Sequence, residues 1–454
     1  MKTLKIKKMK GQIAIVTGIA MVVLIGSVGL ALDSGLGYII KAKLNAAVDA
    51  ASIAAARSVV QGNSQSEQIA NAQAAASKFF AANYPNNYMN SVPTLNTANI
   101  TFNQGQITID VSATSKVPVN FMGLFGFTVL NVSATAQTIR KDIDMAFVLD
   151  TTGSMSSVGS QVKTEAINFL TLFNPLVDRI ALMHFAEGGH VDVPFNANQS
   201  RGFNRTAMNT AIQGYSFGGF TNYAEGLWLA RDQLNNVISS GSRSSLRAIV
   251  FFSDGSPNTI ASFFTFKNPG QCSSAGSIAS GDTSSGTISG LYRYDQVDQQ
   301  MTAGCWRSNG LDNQLTSTAL PAWYNAHNKT DQEFQFAPPP STPAGLRAVT
   351  TNPTYTNINN ASRNIAEEMA WKTRQEGIYI FTLGLGTLLH DYNGPNNEYG
   401  EDLLKCMANT PDAPSRCTSS GAGQPVGVYC WARTAADLGP CFSKLASEIL
   451  RLSK

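Results

Sequence analysis

At 454 residues the chain is too long for one ordinary domain; 43% apolar residues can supply a core, and only 14% are charged. The formal charge of +3 rests on Lys2, Lys5, Lys7, Lys8 and Lys10, and without this decapeptide the remainder is net acidic. That excludes a basic domain and with it any electrostatic drive to bind nucleic acid.

After the basic tail (residues 1–12), Ile13 to Leu32 is an apolar run broken only by small or weakly polar residues. Twenty residues match the hydrocarbon core of a bilayer, so 13–32 reads as a transmembrane helix. The flanking lysines place the N-terminus in the cytoplasm and the rest outside it. A cleavable signal peptide is the rival, but the run is long for one and lacks an obvious small-x-small cleavage site. An alanine-rich stretch follows, Lys41 to Arg57, with strong helix propensity. Residues 13 to about 60 thus read as one long helix, followed by a second at about Ser64–Asn83 that stops before Tyr84-Pro85.

The period then changes to two. Ile100–Phe102, Gln106–Ala113, Lys116–Asn120 and Phe127–Ala136 read as strands, with Asn103-Gln104-Gly105 as a hairpin turn. Residues 33–140 therefore form a small α+β unit.

From about Asp142 strands and helices alternate. Strands are expected at Met145–Asp150, Arg179–Ala186, His190–Val193, Leu246–Ser253, Ile378–Leu385 and Val428–Trp431. Helices are expected at Ser157–Phe173, Asn204–Gly214, Tyr223–Val237, Ala361–Gln375 and Ala435–Leu452. Near-continuous apolar strands alternating with helices predict an α/β fold, a mostly parallel central sheet covered on both faces. The Gly188-Gly189 turn predicts that His190–Val193 is an antiparallel edge. Two long segments, about 256–360 and 387–426, are rich in Ser, Thr, Gly and Asn and read as irregular insertions.

All six cysteines lie late: Cys272, Cys305, Cys406, Cys417, Cys430 and Cys441. An even number without CxxC spacing reads as disulfides in an oxidising compartment. Fifteen connectivities are open. Cys272 with Cys305 and Cys406 with Cys417 could staple the insertions, leaving Cys430 with Cys441.

The chemistry concentrates in Asp150-Thr151-Thr152-Gly153-Ser154-Met155, where an apolar strand gives way to a loop. Asp150, Thr152 and Ser154 present a carboxylate and two hydroxyls at i, i+2 and i+4. Thr221, in Gly219-Phe220-Thr221-Asn222-Tyr223, and Asp254, in Phe252-Ser253-Asp254-Gly255, lie in similar settings. Hard divalent cations take oxygen ligands and keep waters. In open α/β sheets ligands bind beyond the carboxyl ends of the strands, where these three segments are expected. A divalent cation held by two carboxylates, one of them through water, and by neutral hydroxyls is weakly neutralised and open to an outside carboxylate. Each piece alone has a plainer reading, as a helix N-cap or a turn; all three in chain order at one sheet edge favour the metal.

With these residues in place, residues 142–454 resemble a von Willebrand factor A domain. Asp150 to Met155 is similar to its Asp-x-Ser-x-Ser motif, with Thr152 keeping the hydroxyl and adding a methyl. The Thr221 and Asp254 segments are similar to its two further metal loops. The resemblance implies a Rossmann-like fold and a metal-ion-dependent adhesion site of Asp150, Thr152, Ser154, Thr221 and Asp254. It implies Mg²⁺, with Mn²⁺ or Ca²⁺ as alternatives, and a protein partner offering an acidic side chain. Gly11-Gln12, the apolar span, Ala31-Leu32-Asp33, the alanine-rich helix and Val132 to Ala136 resemble TadE/TadG-like Flp pilus-assembly proteins. A prepilin-type cleavage site places glutamate five residues past the glycine; Val16 stands there, which argues against processing.

The four histidines, His184, His190, His327 and His390, form no catalytic motif, and no Gly-x-Ser-x-Gly, His-Glu-x-x-His or phosphate-binding Gly-Lys-Ser/Thr loop occurs. A non-enzymatic, membrane-anchored extracytoplasmic binding protein of pilus assembly or anchoring is expected, with pilus or envelope components as partners and the bacterial inner membrane as its seat. The alternative is a minor pseudopilin or tip adhesin within the filament.

Overall fold

The computed structural model describes residues 12–59, 65–103, 106–195, 201–237, 246–267, 272, 274–281, 288–301, 305–306, 311, 319–337 and 347–453. The basic tail, the centre of the Asn103-Gln104-Gly105 turn and Pro338-Pro339-Pro340 lie outside these residues. The chain divides into two compact units, Met1–Arg140 and Lys141–Lys454.

In the first unit α1 (Gln12–Ser58) is one continuous helix and α2 (Gln65–Asn83) packs against its second half. Alanines at Ala47, Ala51, Ala55, Ala72 and Ala76 are fully buried, so the two backbones approach closely around Leu44 and Val48. A four-stranded sheet follows: β1 (Val92–Leu95) and β2 (Asn99–Asn103) pair antiparallel with β3 (Gln106–Pro118), which also pairs with β4 (Val129–Lys141). Ile107, Ile109, Val111, Ala113 and Val117 of β3 face the helices at period two. The sequence reading needs correction here. Gln106–Ala113 and Lys116–Asn120 are one strand, because Ser115 is buried and bonded to Tyr84 Oη at 3.0 Å. β1 was not anticipated, since Pro93 within it suppresses the strand signal.

The second unit is built on a six-stranded sheet: β5 (Ile143–Asp150), β6 (Arg179–Phe185), β7 (Gly189–Val193), β8 (Leu246–Ser253), β12 (Tyr379–Leu385) and β15 (Tyr429–Ala432). The order is β15-β12-β8-β5-β6-β7, all parallel except the β7 edge. Every residue of β5 and β8 is buried because both faces are covered. Met145, Phe147, Leu149, Val250 and Phe252 face one core with α3 (Gly159–Leu170), α4 (Arg205–Gly214) and α9 (Leu438–Leu452). Ala146, Val148, Ile249 and Phe251 face the other with α5 (Tyr223–Asn235), α6 (Tyr355–Gln375) and α7 (Gly400–Ala408). From β5 the chain builds outward to β6 and β7, then crosses to β8 on β5's other side. The β5/β8 junction is therefore the switch point of the sheet.

The insertions are more ordered than an irregular reading allows. The first carries an antiparallel sheet of β9 (Thr259–Phe263), β10 (Ala275–Ala279) and β11 (Ser289–Tyr292). Its Phe264, Tyr324, Phe334 and Phe336 are buried in the core with α5 and α6. Tyr324 Oη and His327 Nε2 meet the fully buried Glu225 of α5 at 2.7 and 2.9 Å. α6 begins six residues before Ala361, capped by the Thr354 side chain. The second insertion holds a small hairpin, β13 (Tyr392–Asn393) with β14 (Glu398–Tyr399), then α7 and α8 (Ser415–Ser420). Disulfides join Cys272–Cys305, Cys406–Cys417 and Cys430–Cys441. His184, in β6, is bonded to Asp192 at 2.8 Å and stacked on Tyr215, as a structural histidine would be.

A buried ion network ties α6 to the second insertion. Arg347 makes paired bonds to Glu367 (2.9 and 3.1 Å) and Glu398 (2.8 and 3.0 Å), and Arg363 and Arg416 share these acids. Burial opposes ionisation of Glu367 and Glu398, but Arg347 beside them holds both below the ordinary carboxyl value. Removing one member of such a network strands buried charge. Arg347→Met is expected to cost roughly 3 kcal/mol or more in urea unfolding; an unchanged midpoint would show the network to be neutral.

Candidate metal centre

β5 delivers Asp150 to the carboxyl edge of the sheet and β8 delivers Ser253 beside it, in register with Leu149 against Phe252. The next residue, Asp254, starts the third loop. Ser253 Oγ donates to Asp150 Oδ2, and Ser154 Oγ donates to Asp254 Oδ1 at 2.7 Å. Thr152 N donates to Asp150 Oδ1 at 2.8 Å, and the Thr152 and Ser154 hydroxyls lie 3.2 Å apart. The first and third loops are thus cross-bonded through the predicted residues themselves.

The Thr221 loop closes the ring. Gly153 N donates to Gly219 O at 3.2 Å and Gly218 N to Thr151 O at 3.0 Å. On its far side Thr221 N donates to Asn258 Oδ1, and Asn258 N to Thr221 O, both at 2.9 Å. Gly219 permits this path: its φ is +79°, and a Cβ there would lie 2.2 Å from the Glu187 carboxylate. Among the described residues the Thr221 hydroxyl makes no hydrogen bond.

The capping alternative fits poorly. Thr152 is the N-cap of the short 3₁₀ turn Gly153–Met155, and Asn222 is the N-cap of α5, yet neither side chain makes a capping bond. Thr152, Ser154 and Thr221 instead line one cavity of about 410 Å³. Asp150, bonded to Thr152 N, is fully buried, and Asp254, bonded to Ser154, is 5% exposed.

Electrostatically the site is under tension. Burial pushes Asp150 up to about 6 and Asp254 up to about 7, the latter also repelled by Asp150. Among the described residues no lysine or arginine pairs with either acid. Two buried carboxyls without a cationic side chain, ringed by hydroxyls at a cavity mouth, form an oxygen donor set that fits a small hard divalent ion.

Several residues escaped the sequence reading. Ser253 was visible in Ser253-Asp254, but only the β5/β8 register shows that it reaches Asp150. Ser256 lines the cavity with its hydroxyl buried and without a partner. Leu388, Asp391, Asn393 and Gly394 of the second insertion form another wall, and Asn359 and Arg363 of α6 complete it. Arg363 is 1% exposed; its Nη1 meets Glu398 at 3.2 Å and its Nη2 Asn393 at 2.6 Å, while Nε has no partner. No sequence signal marks Arg363, because its neighbours are 30 and 35 residues away.

Residues 145–256 match the model of the von Willebrand factor type A domain, which the sheet order and three-loop site define as the class of this unit. Residues 11–58 match the model described as "Putative Flp pilus-assembly TadE/G-like". The chain thus joins a TadE/G-like N-terminal segment to a von Willebrand factor type A domain. A comparison with curated sequences found no match. Among solved structures it is similar to the pilus adhesin SpaC from Lactobacillus rhamnosus GG, at 14% identity and TM-score 0.38 over 79% of this chain and 35% of that one. It is also similar to the vWF domain of the type V pili tip protein Mfa5 from Porphyromonas gingivalis, at 13% identity and TM-score 0.39 over 70% and 98%. A third is proximal thread matrix protein 1 from the mussel byssus with a zinc-occupied MIDAS motif, at 13% identity and TM-score 0.33 over 69% and 46%. The chain spans about a third of the length of SpaC. At these TM-scores the likenesses carry no functional argument.

A carboxyl raised in the folded state stabilises the fold at low pH and loses that contribution as pH rises through the folded value. In EDTA at pH 8, where both acids are forced to ionise, Asp254→Asn is expected to raise the melting temperature by a few degrees, equivalent to roughly 1–3 kcal/mol. At pH 3, below the ordinary carboxyl value of 3.8 as well as the raised ones, it is expected to change little. A loss at both pH values would contradict this account.

Proposed function

We propose that the chain is a membrane-anchored, extracytoplasmic, non-enzymatic binding protein that serves pilus assembly or anchoring by holding an acidic group of a protein partner at a divalent-metal site. The observation that carries this is the closure of three loops around Asp150 and Asp254, two buried acids that no basic side chain among the described residues neutralises. Asp150, Thr152, Ser154, Thr221 and Asp254 are the residues that would hold the ion, and Mg²⁺ suits their all-oxygen chemistry. Bound there, the ion would supply a Lewis-acidic position for an outside carboxylate.

The rest of the recognition belongs to the chain. Arg363 stands on the cavity wall with Nε unpartnered, in a cluster where Arg347, Arg363 and Arg416 share Glu367 and Glu398. The Arg363 Nε–H, buried without an acceptor, suits the second oxygen of an incoming carboxylate. Asn393 and Asn359 offer amides to the adjoining backbone or side chain. The TadE/G-like match and the exposed apolar half of α1 support placement at a bacterial membrane. The domain boundaries follow: tail 1–12, span 13–32, TadE/G-like region 33–140 and metal-binding domain 142–454.

Calorimetric titration of the detergent-solubilised chain tests the site. Mg²⁺ and Mn²⁺ are expected to give saturable heat that Asp150→Ala abolishes; equal heat from the variant would reject it. Capture on purified Flp filaments tests the partner. Binding is expected to vanish in EDTA and to weaken about ten-fold or more in Arg363→Gln, the loss of one charge-assisted bond, with Mg²⁺ affinity unchanged. Metal-independent capture would contradict the reading, and recovery of the chain within sheared filaments would favour the pseudopilin alternative.

A further inference from the structure

The first unit carries an apolar loop, residues 119–130, folded back along α1. We infer that this loop enters the lipid beside the helix, as a second membrane contact on the extracytoplasmic side; the inference rests on the proposal that α1 spans the membrane.

Three observations converge. α1 is exposed around its whole circumference from Ile13 to Ile25, whereas from Gly26 onward one stripe is covered: Gly29, Asp33, Gly37, Ile40 and Leu44 are buried. What covers its first turns is the loop. A Cβ at Gly29 would lie 2.5 Å from the Phe121 Cβ, and Cβ atoms at Gly26 and Gly37 would displace the tips of Phe125 and Leu130, 2.8 and 2.4 Å away. The outer side of the loop is nonetheless apolar and open, with Phe125 53% and Phe127 57% exposed and Phe121 and Val129 exposed beside them. This patch continues the exposed apolar surface of Ile25, Val28 and Leu32.

The length of the helix makes the placement hard to avoid. Ile13 to Ile25 measures about 20 Å along the axis, short of the roughly 30 Å hydrocarbon core. A span that extends to Leu32 brings the level of Phe121 and Phe125 into the same layer. Gly26 lies about 10 Å from Asp33 along the helix, the depth at which interfacial segments insert.

Backbone entering lipid must have its polar groups satisfied internally. Asp33 does this for the loop's entry: its carboxylate accepts the backbone N–H groups of Asn120, Phe121 and Met122 at 3.0, 3.0 and 2.8 Å. At the exit Gly126 N donates to Gly123 O at 3.1 Å and Phe127 N to Met122 O at 3.2 Å. An acid just past the apolar run of α1 thus has a specific use, pinning the loop and satisfying three backbone donors that lipid cannot.

The test uses the full chain in vesicles of phosphatidylethanolamine and phosphatidylglycerol, spin-labelled at Phe127→Cys, with Val22→Cys as the span reference and Asn96→Cys as the aqueous one. The native cysteines are all paired. Oxygen is expected to reach position 127 several-fold better, relative to a nickel chelate, than it reaches position 96. Adding Asp33→Ala or Gly26→Leu should lower that ratio toward the aqueous value. An aqueous ratio at 127 with a lipid ratio at 22 would overturn the inference and leave the span standing. Low access of both quenchers at 127 would mean a protein cover, a second copy or a partner, and would also overturn it. An aqueous ratio at 22 would remove the span and the inference together.

Discussion

Burying two carboxyls side by side, with no cationic side chain among the described residues paired to either, is the constraint around which the second unit is arranged. Asp150 and Asp254 are placed together by two adjacent parallel strands whose every residue is buried, so neither acid can withdraw to solvent without disturbing the centre of the sheet. Without a cation the cost is relieved by holding protons, which is why both titrate high. The surrounding hydroxyls serve either state: Ser154 and Ser253 donate to the acids, and their oxygens remain available to a hard ion.

The insertions extend this arrangement in different ways. The first is bound into the core through its aromatic residues and Glu225, and it reaches the cavity at Ser256 and Asn258. The second builds the opposite wall, fixed by Cys406–Cys417 and by the arginines that grip Glu367 and Glu398. The proposed ion site would thereby have a particular surround, which includes Arg363 and Asp391. Selectivity in such a site comes from the walls, since oxygen ligands alone accept any acid.

The sequence disclosed whatever local pattern dictates. The runs ending at Asp150 and Ser253 could be recognised because strands covered on both faces are continuously apolar. The long α1 and the antiparallel β7 edge were legible from length and from Gly188-Gly189. Asp150, Thr152, Ser154 and Asp254 stand out in the sequence because they follow apolar strands, and Thr221 because it opens a helix; the structure brings their three loops together. What escaped depends on distant partners. β10 is Ala275-Gly276-Ser277-Ile278-Ala279, too small-chained to look like a strand, and it is buried only because β9 and β11 flank it. The first turns of α6 are poor helix formers, held by bonds from Asn357 and Asn360 to Thr350 and Ala348. The apolar loop 119–130 read partly as strand because nothing local shows that Asp33 will gather its backbone.

The most direct test is anomalous diffraction from crystals of the protein grown with Mn²⁺. The account predicts one strong manganese peak within coordination distance of Ser154 and Thr221, with Asp150 and Asp254 beside it, and its loss in Asp150→Ala. Ordered density for all five side chains in saturating Mn²⁺ with no peak among them would contradict it.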